Sequence, residues 1–279
     1  MSEQLDNILM TTGFIKSEFP KNFKPSLAII TEKHIEIQAG FKILGEISYD
    51  KLYAHNENLV RNAGKVVFTK CEGRDILIYS GRFHYFGGVN MRDIGHMIYV
   101  LRYLGINNII SIDEVGHLNP RFNCGEIALI YDHINLIGDN PLIGKNDAEL
   151  GLRFPDMSNA YDKELYKKVF KIFQEKFIKI NESVYLGTTG PQSETDAEAR
   201  FYREIGADVV GYSLVPENIT AVHAGLGFIG IGLITRELVA DKMMEDDRSD
   251  KQRISDQKAA LKIAVKELGK VLKDIVKKI

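Results

Sequence analysis

The chain has 279 residues, of which 44% are hydrophobic and 27% are charged, and this composition excludes a disordered or fibrous protein. Its 36 basic and 38 acidic side chains nearly balance, so no global field attracts nucleic acid. Two cysteines without CxxC spacing and the lack of an export leader predict a cytoplasmic protein, and the longest apolar stretch, residues 224–234, is shorter than the roughly 20 residues that span a membrane.

Short β-branched runs alternate with helical patterns along most of the chain, which is typical of crossover connections around a parallel sheet. The predicted strands are residues 27–30, 65–70, 75–80, 107–113, 126–131, 183–188, 208–212 and 227–235. We therefore expect a single α/β domain over residues 1–279, with a central mixed and largely parallel β-sheet flanked by helices.

Helical periodicity covers residues 90–104, 162–176, 195–205 and 216–224, and residues 1–24 are expected to form a helical or loop extension. Residues 250–279 predict an amphipathic C-terminal helix. Its apolar positions recur at spacings of four and three: Leu261, Val265, Leu268, Leu272, Ile275 and Ile279. A dimerising coil is one use of this face, but docking onto the sheet is favoured because the apolar seam is shorter than about three heptads.

Residues 134–158 are rich in Gly, Pro, Asn and Asp and show no clean period, so they predict a long loop. Long loops inside compact domains are usually functional.

Gly225, Gly227 and Gly230 spell the GxGxxG pattern of dinucleotide-binding folds. That motif needs a strand before it and a helix after it, whereas here a predicted helix precedes and a predicted strand follows. A helix-to-strand turn with small residues for close packing is the better interpretation, and no cofactor is expected.

Polar residues follow several predicted strands, where a parallel sheet presents its ligand-binding edge. Arg82 and His84 come directly after one strand, on the same side of an extended segment, and together they make a good phosphate clamp. A surface salt bridge for Arg82 and a packed, hydrogen-bonded His84 are the structural alternatives.

Two later strand ends repeat this arrangement. Glu194 stands where a helix opens after residue 189, so it either complements the helix end or accepts hydrogen bonds from a ligand. Ser213 precedes the next helix and is either its cap or a phosphate donor. His133 follows a strand without a second histidine at metal-ligand spacing, so a structural hydrogen bond is favoured and no metal site is expected.

Taken together, these segments resemble the trimeric purine nucleoside phosphorylase family from about residue 25 to about residue 275. The resemblance is carried in order by GRFH (81–84), LNPRF (118–122), DHINL (132–136), NPL (140–142), RFP (153–155), GP (190–191), ET (194–195), GAD (206–208) and VPE (215–217). It implies the nucleoside phosphorylase fold and phosphorolysis, in which phosphate attacks the anomeric carbon of a purine nucleoside to give free base and pentose 1-phosphate.

Carried over by position, the resemblance implies that Arg82, His84 and Ser213 hold phosphate. It likewise implies that Glu194 binds the purine edge and that Thr235 lines the base pocket. Inorganic phosphate would be the co-substrate, with no metal and no other cofactor.

The phosphate site departs from the family pattern. The family has a serine within a glycine-rich turn after its first strand, where this chain has Ile30, Thr31, Glu32, Lys33 and His34. Lys33 supplies a replacement charge in one interpretation, and Glu32 repels phosphate in the other. Glu114 replaces a small residue beside phosphate, and its like charge is expected to weaken phosphate binding.

The nucleoside site departs as well. Arg236 stands where the family has the asparagine that hydrogen-bonds the departing purine, and it is larger and permanently charged. Phe86 replaces a sugar-binding tyrosine, Ser193 replaces a phenylalanine stacked on the base, and Tyr212 replaces a methionine under the sugar. His84, Glu194 and Arg236 are accordingly the candidate catalytic residues.

Three functional hypotheses follow. The first is a purine nucleoside phosphorylase with shifted substrate preference. The second is a catalytically impaired homologue that binds a ligand or a partner protein. The third is a nucleoside hydrolase in which water replaces phosphate, with Glu114 as the base. The resemblance also implies a homotrimer whose contacts involve the loop around Leu150, a residue that replaces an aromatic side chain reaching the neighbouring subunit's site.

Overall fold

The computed structural model describes residues 2–37, 40–54, 56–243 and 245–279. The strands are β1 (Leu27–Thr31), β2 (Lys42–Ser48), β3 (Lys65–Cys71), β4 (Arg74–Ser80), β5 (Asn108–His117), β6 (Ile127–Asn135), β7 (Ile180–Gly187), β8 (Val209–Gly211) and β9 (Gly227–Glu237). The helices are α1 (Glu3–Ser17), α2 (Tyr49–Leu52), α3 (Glu57–Val60), α4 (Met91–Tyr103), α5 (Lys163–Glu175), α6 (Asp196–Glu204), α7 (Leu214–His223), α8 (Ala240–Met243) and α9 (Asp250–Lys278).

The strands form one mixed sheet in the order β2-β3-β4-β1-β5-β8-β7-β6-β9. The pairs β1–β4, β1–β5, β5–β9, β6–β7 and β7–β8 are parallel, whereas β2–β3, β3–β4, β5–β8 and β6–β9 are antiparallel. Because β9 pairs with β5 as well as with β6, the strands β5, β8, β7, β6 and β9 close into a ring. The α/β fold with helices around a central mixed sheet is the one that the sequence predicts.

Apolar runs place the core on both faces of the central strands. Every residue of β1 is buried, and in β9 the stretch between its first and last residues is buried up to Thr235. Such continuous burial is expected for strands that helices cover on both sides. One face packs against α4 and α7, and the other against α5 and α9.

Helix α9 docks onto the sheet, as the amphipathic pattern predicts. Leu268, Leu272 and Ile275 are fully buried against strands that include β9. The buried stripe is rotated from the predicted one: Ala260, Ala264, Val271 and Val276 are buried, while Leu261, Val265 and Ile279 lie only partly buried at its margin. Alanines escape a search for large apolar side chains, but they permit the closest approach of helix to sheet.

Several predicted bounds shift. Helix α7 begins at Leu214 rather than at residue 216, and β5 and β6 extend to His117 and Asn135. The edge strand β2 is missing from the prediction, and residues 3–17 of the N-terminal extension are helical. Between β6 and α5 the chain runs through turns and bends with neither helix nor strand, as predicted for the long loop.

The glycine pattern at residues 225–230 has the context that the sequence suggested. Gly225 has φ of 71° where α7 ends, and Gly227 begins β9. A helix therefore precedes the motif and a strand follows it. Within the described residues, none of the helices has the length and apolar character needed to cross a membrane.

Candidate active site

The candidate site lies where the adjacent parallel strands β1, β4 and β5 end. The backbone N–H of Gly81 donates to the carbonyl oxygen of Thr31 at 2.8 Å, so the ends of β4 and β1 are tied together. Glu32 follows β1 directly, Arg82 and His84 follow β4, and Asp113 lies within β5, just beyond the last residue of β5 that pairs with β1. The short strand β8 adds Tyr212 and Ser213 from the same region.

The guanidinium of Arg82 is completely buried among three carboxylates. Its Nη1 lies 3.1 Å from Asp113 Oδ1, and its Nε lies 3.4 Å from Glu32 Oε1 and 3.5 Å from Glu217 Oε1. Burial alone would lower the pKa of Arg82, but Glu217, Asp113 and Glu32 raise it. Arg82 therefore forms a buried ionic cluster rather than the surface salt bridge that the sequence left open.

Hydrogen bonds fix the guanidinium in this position. Its Nη2 donates to the Ile112 carbonyl at 2.7 Å, to the Ser111 hydroxyl at 3.1 Å and to the Ile30 carbonyl at 3.3 Å. The Ser111 hydroxyl in turn donates to Glu217 at 2.5 Å. Burial raises the pKa of both Asp113 and Glu217, against the lowering effect of Arg82.

His84 connects this cluster to Ser213. The Nε2 atom of His84 lies 3.2 Å from both carboxylate oxygens of Glu32, and its Nδ1 lies 3.4 Å from the Ser213 hydroxyl. Burial would raise the pKa of Glu32, but the hydrogen bond with His84 and the charge of Arg82 bring it below its usual value. Glu32 is therefore ionised at neutral pH and touches both members of the predicted phosphate clamp.

Ser213 stands at the N-cap position of α7, but its side chain makes no capping hydrogen bond. Its hydroxyl faces His84 instead, which is the arrangement expected of an anion donor rather than of a cap. Tyr185 holds this turn in place, because its hydroxyl accepts from the Ser213 N–H at 3.1 Å and donates to Asp113 at 2.8 Å.

Glu114 and Lys33 lie to one side of these contacts. Glu114 forms an ion pair with His34 and does not lie within ion-pair distance of Arg82. Lys33 is exposed in the turn after β1 and forms no salt bridge with a described residue. The carboxylate that meets Arg82 and His84 is thus Glu32, whereas the sequence pointed chiefly to Glu114.

A second polar group lies at the start of α6. Arg236 Nη1 is 3.2 Å from Glu194 Oε2 and donates to the Tyr212 hydroxyl, also at 3.2 Å. The single proton of the Tyr212 hydroxyl has two acceptors within reach, Glu194 Oε1 at 3.2 Å and the Gln192 carbonyl oxygen at 3.1 Å. Burial would lower the pKa of Arg236, but Tyr212 and Glu194 raise it.

Glu194 does not serve the helix end, because Thr195 is the N-cap of α6 and forms a capping box with Glu198. The carboxylate of Glu194 is instead buried beside Arg236. Of the two roles that the sequence left open, the geometry favours the one in the cleft.

Phe86 and Tyr212 join the two polar groups. The Phe86 ring stacks on the His84 imidazole with centroids 4.4 Å apart, and it meets Tyr212 edge-on at 6.0 Å. The Arg236 guanidinium lies over the Tyr212 ring, 5.3 Å from its centroid. The predicted phosphate-binding residues and the predicted purine-binding residues therefore lie on one continuous surface, although they come from separate motifs.

A cavity of about 420 Å³ opens beside the second polar group. Ser193, Thr235 and Arg236 line it, together with residues of the segment after β9 such as Lys242 and Arg248. Thr235 is buried and Ser193 is exposed. Three of the predicted nucleoside residues therefore share one opening.

Two further predictions can be compared with the geometry. His133 makes a hydrogen-bond contact of 3.2 Å with the Tyr161 hydroxyl, which agrees with a structural role. Leu150 is only 2% exposed and packs inside its own chain. The contact of the surrounding loop with a neighbouring subunit stays a prediction. The exposed apolar residues of the same loop are Ile143, Leu152 and Phe154.

Asp113, Glu217 and Tyr185 also belong to the site, although the sequence pattern did not single them out. Asp113 and Glu217 sit inside predicted regular elements, where an acidic residue has no distinct spacing. The available signal was Glu217 itself, an acid in an otherwise apolar stretch, which requires a buried partner when the helix packs inward.

Comparisons with known proteins show the family to which the chain belongs. The family model described as "Phosphorylase superfamily" matches residues 39–277. Purine nucleoside phosphorylase 1 of Bacillus subtilis is 37% identical over 250 residues, which cover 86% of this chain and 92% of that protein. The purine nucleoside phosphorylase of Mus musculus is 37% identical over 226 residues, or 78% of each chain.

Among solved structures, purine nucleoside phosphorylase of Schistosoma mansoni in complex with adenosine aligns with a TM-score of 0.87 and 26% identity. The alignment covers 99% of this chain and 98% of that one.

Proposed function

Because the chain belongs to the phosphorylase superfamily, we propose that it is a purine nucleoside phosphorylase, which uses phosphate to cleave the N-glycosidic bond of purine nucleosides. The products are free base and pentose 1-phosphate. Identity of 35% or more with curated purine nucleoside phosphorylases over most of the chain supports this activity.

One observation carries the proposal within the structure: the unbroken surface from His84 and Ser213 through Phe86 and Tyr212 to Glu194 and Arg236. At one end it has hydrogen-bond donors for an anion, in the middle it has two aromatic rings, and at the other end it has the ion pair of Glu194 and Arg236. A purine nucleoside that reacts with phosphate needs these three kinds of side chain in this order, for the phosphate, the pentose and the purine.

The residues have matching roles in the reaction. A phosphate oxygen forms a bond to the anomeric carbon as the bond from that carbon to the purine breaks, and the bonding pair moves onto the base. Arg236 remains protonated and stabilises the charge that develops on the purine, while Glu194 accepts a hydrogen bond from the purine edge. Phe86 covers the pentose and excludes water from it.

Beyond the activity, we propose a cytoplasmic homotrimer that needs no metal or organic cofactor. Support for assembly comes from the long loop between β6 and α5, where Leu152 and Phe154 are 76% and 85% exposed. Such exposed apolar side chains on one segment are typical of an interaction surface.

The test incubates purified protein with inosine, guanosine and adenosine, with and without phosphate, and measures both free base and pentose 1-phosphate. We expect base release that depends on phosphate and an equal amount of pentose 1-phosphate. Release of base without phosphate would assign a hydrolase, and nucleoside binding without release would assign a binding protein.

A variant pair links the activity to this site. Glu194→Ala should lower kcat/KM, whereas Glu204→Ala should not, because Glu204 is an exposed acid at the far end of α6, the helix that begins just after Glu194. Equal activity of both variants would remove Glu194 from the purine site.

A further inference from the structure

The feature that the proposed function leaves unexplained is the carboxylate at the centre of the phosphate clamp. Arg82 Nε and His84 Nε2 both face the carboxylate of Glu32, while Ser213 contacts the other imidazole nitrogen of His84, Nδ1. Glu32 contacts Arg82 Nε at 3.4 Å and His84 Nε2 at 3.2 Å, so it bridges the two groups that an incoming anion would need.

A carboxylate satisfies the same donors as a phosphate oxygen. Both are anionic oxygen acceptors, and both form charge-assisted hydrogen bonds with guanidinium and imidazole N–H groups. Glu32 therefore acts as an intramolecular ligand of the clamp, at the high effective concentration that attachment to the chain gives.

Because Arg82 is buried among carboxylates, an incoming anion can reach it only by displacing one of them. The Arg82 side chain has no exposed surface, and Glu32 is the carboxylate around it that retains appreciable exposure, 15% against 5% for Asp113 and 1% for Glu217. Asp113 accepts from Tyr185 and Glu217 accepts from Ser111, so these two are anchored by further hydrogen bonds. Glu32 is the member of the cluster that can leave.

The position of Glu32 in the chain also permits this exchange. It lies one residue beyond β1, in a segment that continues through an exposed turn at Lys33 and His34. Asp113 lies within β5 and Glu217 within α7, where the backbone is fixed by regular hydrogen bonds.

We propose that Glu32 is a specificity-determining residue that competes with phosphate for Arg82 and His84, so that phosphate binds only when the Glu32 carboxylate moves out. The effect on phosphorolysis rests on the proposed function, but the effect on anion binding does not. Glu114, paired with His34 outside the clamp, has a smaller influence on phosphate affinity than Glu32.

The experiment measures the Kd of inorganic phosphate by equilibrium dialysis for wild type, Glu32→Ala, Glu32→Gln and the matched control Glu36→Ala. Glu36 is an exposed acid on the same segment, so its replacement changes the net charge equally without touching the clamp. We expect Glu32→Ala to bind phosphate at least about tenfold more tightly, since a charge-assisted contact is worth roughly that factor or more. Glu32→Gln should show a smaller gain because its amide keeps the volume but loses the charge.

Formate provides an independent readout. In Glu32→Ala a small carboxylate should enter the vacated position and compete with phosphate, whereas in wild type formate should have little effect on phosphate binding. Circular dichroism establishes that each variant is folded, and Glu32→Gln decides the matter if Glu32→Ala does not fold.

Unchanged phosphate affinity in the folded Glu32 variants, or an equal gain in Glu36→Ala, would overturn the proposal. Base release measured on the same proteins separates it from the proposed function. Tighter phosphate binding without base release in any variant would leave the competition intact and refute the phosphorylase activity; base release with unchanged phosphate affinity would do the reverse.

Discussion

Arg82 is the cation at the centre of three carboxylates, Glu32, Asp113 and Glu217, so its first contribution is to the stability of the fold. Replacement by methionine leaves Asp113, Glu217 and Glu32 close together without their cation. Removing one partner of a buried ion pair typically costs about 3–5 kcal/mol of unfolding free energy, and we expect Arg82→Met to lose that amount in urea unfolding. Arg61→Met, at an exposed arginine, is the control and should change stability by less than about 0.5 kcal/mol.

The loss in Arg82→Met should grow with pH. Burial already raises the pKa of Asp113 and Glu217 in the native state, so the folded protein binds protons more tightly than the unfolded chain at these groups. The stability that those protons contribute is present at low pH and is lost as pH rises through the folded pKa values. Without Arg82 the pKa values rise further, so the deficit should be larger at pH 8 than at pH 5; a deficit independent of pH would contradict this charge cluster.

Arg236 is the residue whose change should affect catalysis most directly. Arg236→Met removes the cation beside Glu194 and Tyr212 and should lower kcat for nucleoside cleavage by about ten- to a hundredfold, since one charged donor contributes roughly 1.5–3 kcal/mol. Arg203→Met, on the exposed side of α6, is the matched control. A fall in kcat/KM through KM alone would instead assign Arg236 to ground-state binding.

At this scale the sequence located several site residues but not the side chains that contact them. Arg82, His84, Glu194 and Ser213 were recognisable because each follows a strand whose apolar run ends at a definite residue. Asp113 and Glu217 come from other elements, and whether they meet Arg82 depends on strand order and helix packing, which periodicity does not encode.

Among the secondary-structure elements, α9 offers the sharpest test of packing. Leu268 is fully buried between helix and sheet, so Leu268→Ala should lose about 2–5 kcal/mol of unfolding free energy. Ile263 on the same helix is 53% exposed, and Ile263→Ala should lose less than about 1 kcal/mol. Equal losses in chemical denaturation would mean that α9 is held by a different face.

Elements with strong periodicity were predictable, and the exceptions have physical causes. Strand β2 alternates poorly, with Gly45 next to a register irregularity and mixed burial along its length, because it pairs with a neighbour on one side only. The start of α7 was placed late because proline favours the first turn, and here Pro216 is the third helical residue rather than the first.

For the whole molecule, the proposed trimer depends on the exposed apolar side chains of the long loop. Phe154→Asp should shift the protein to a smaller species in light scattering at micromolar concentration, because it places a charge in a buried interface. Phe177→Asp is the control: Phe177 is 97% exposed and has φ of 54°, a conformation that aspartate accepts. An unchanged mass for Phe154→Asp, or a wild-type monomer, would contradict the proposed assembly.

The closed ring of β5, β8, β7, β6 and β9 also bears on how copies of this protein avoid one another. Within the described residues, the ring leaves β2 as the terminal strand of the sheet, with a neighbour on one side only. That edge carries Lys42 and Glu46 and an irregularity between Ile43 and Gly45, features that discourage strand addition by another chain. Resistance to strand addition at this edge should therefore depend on the seven residues of β2.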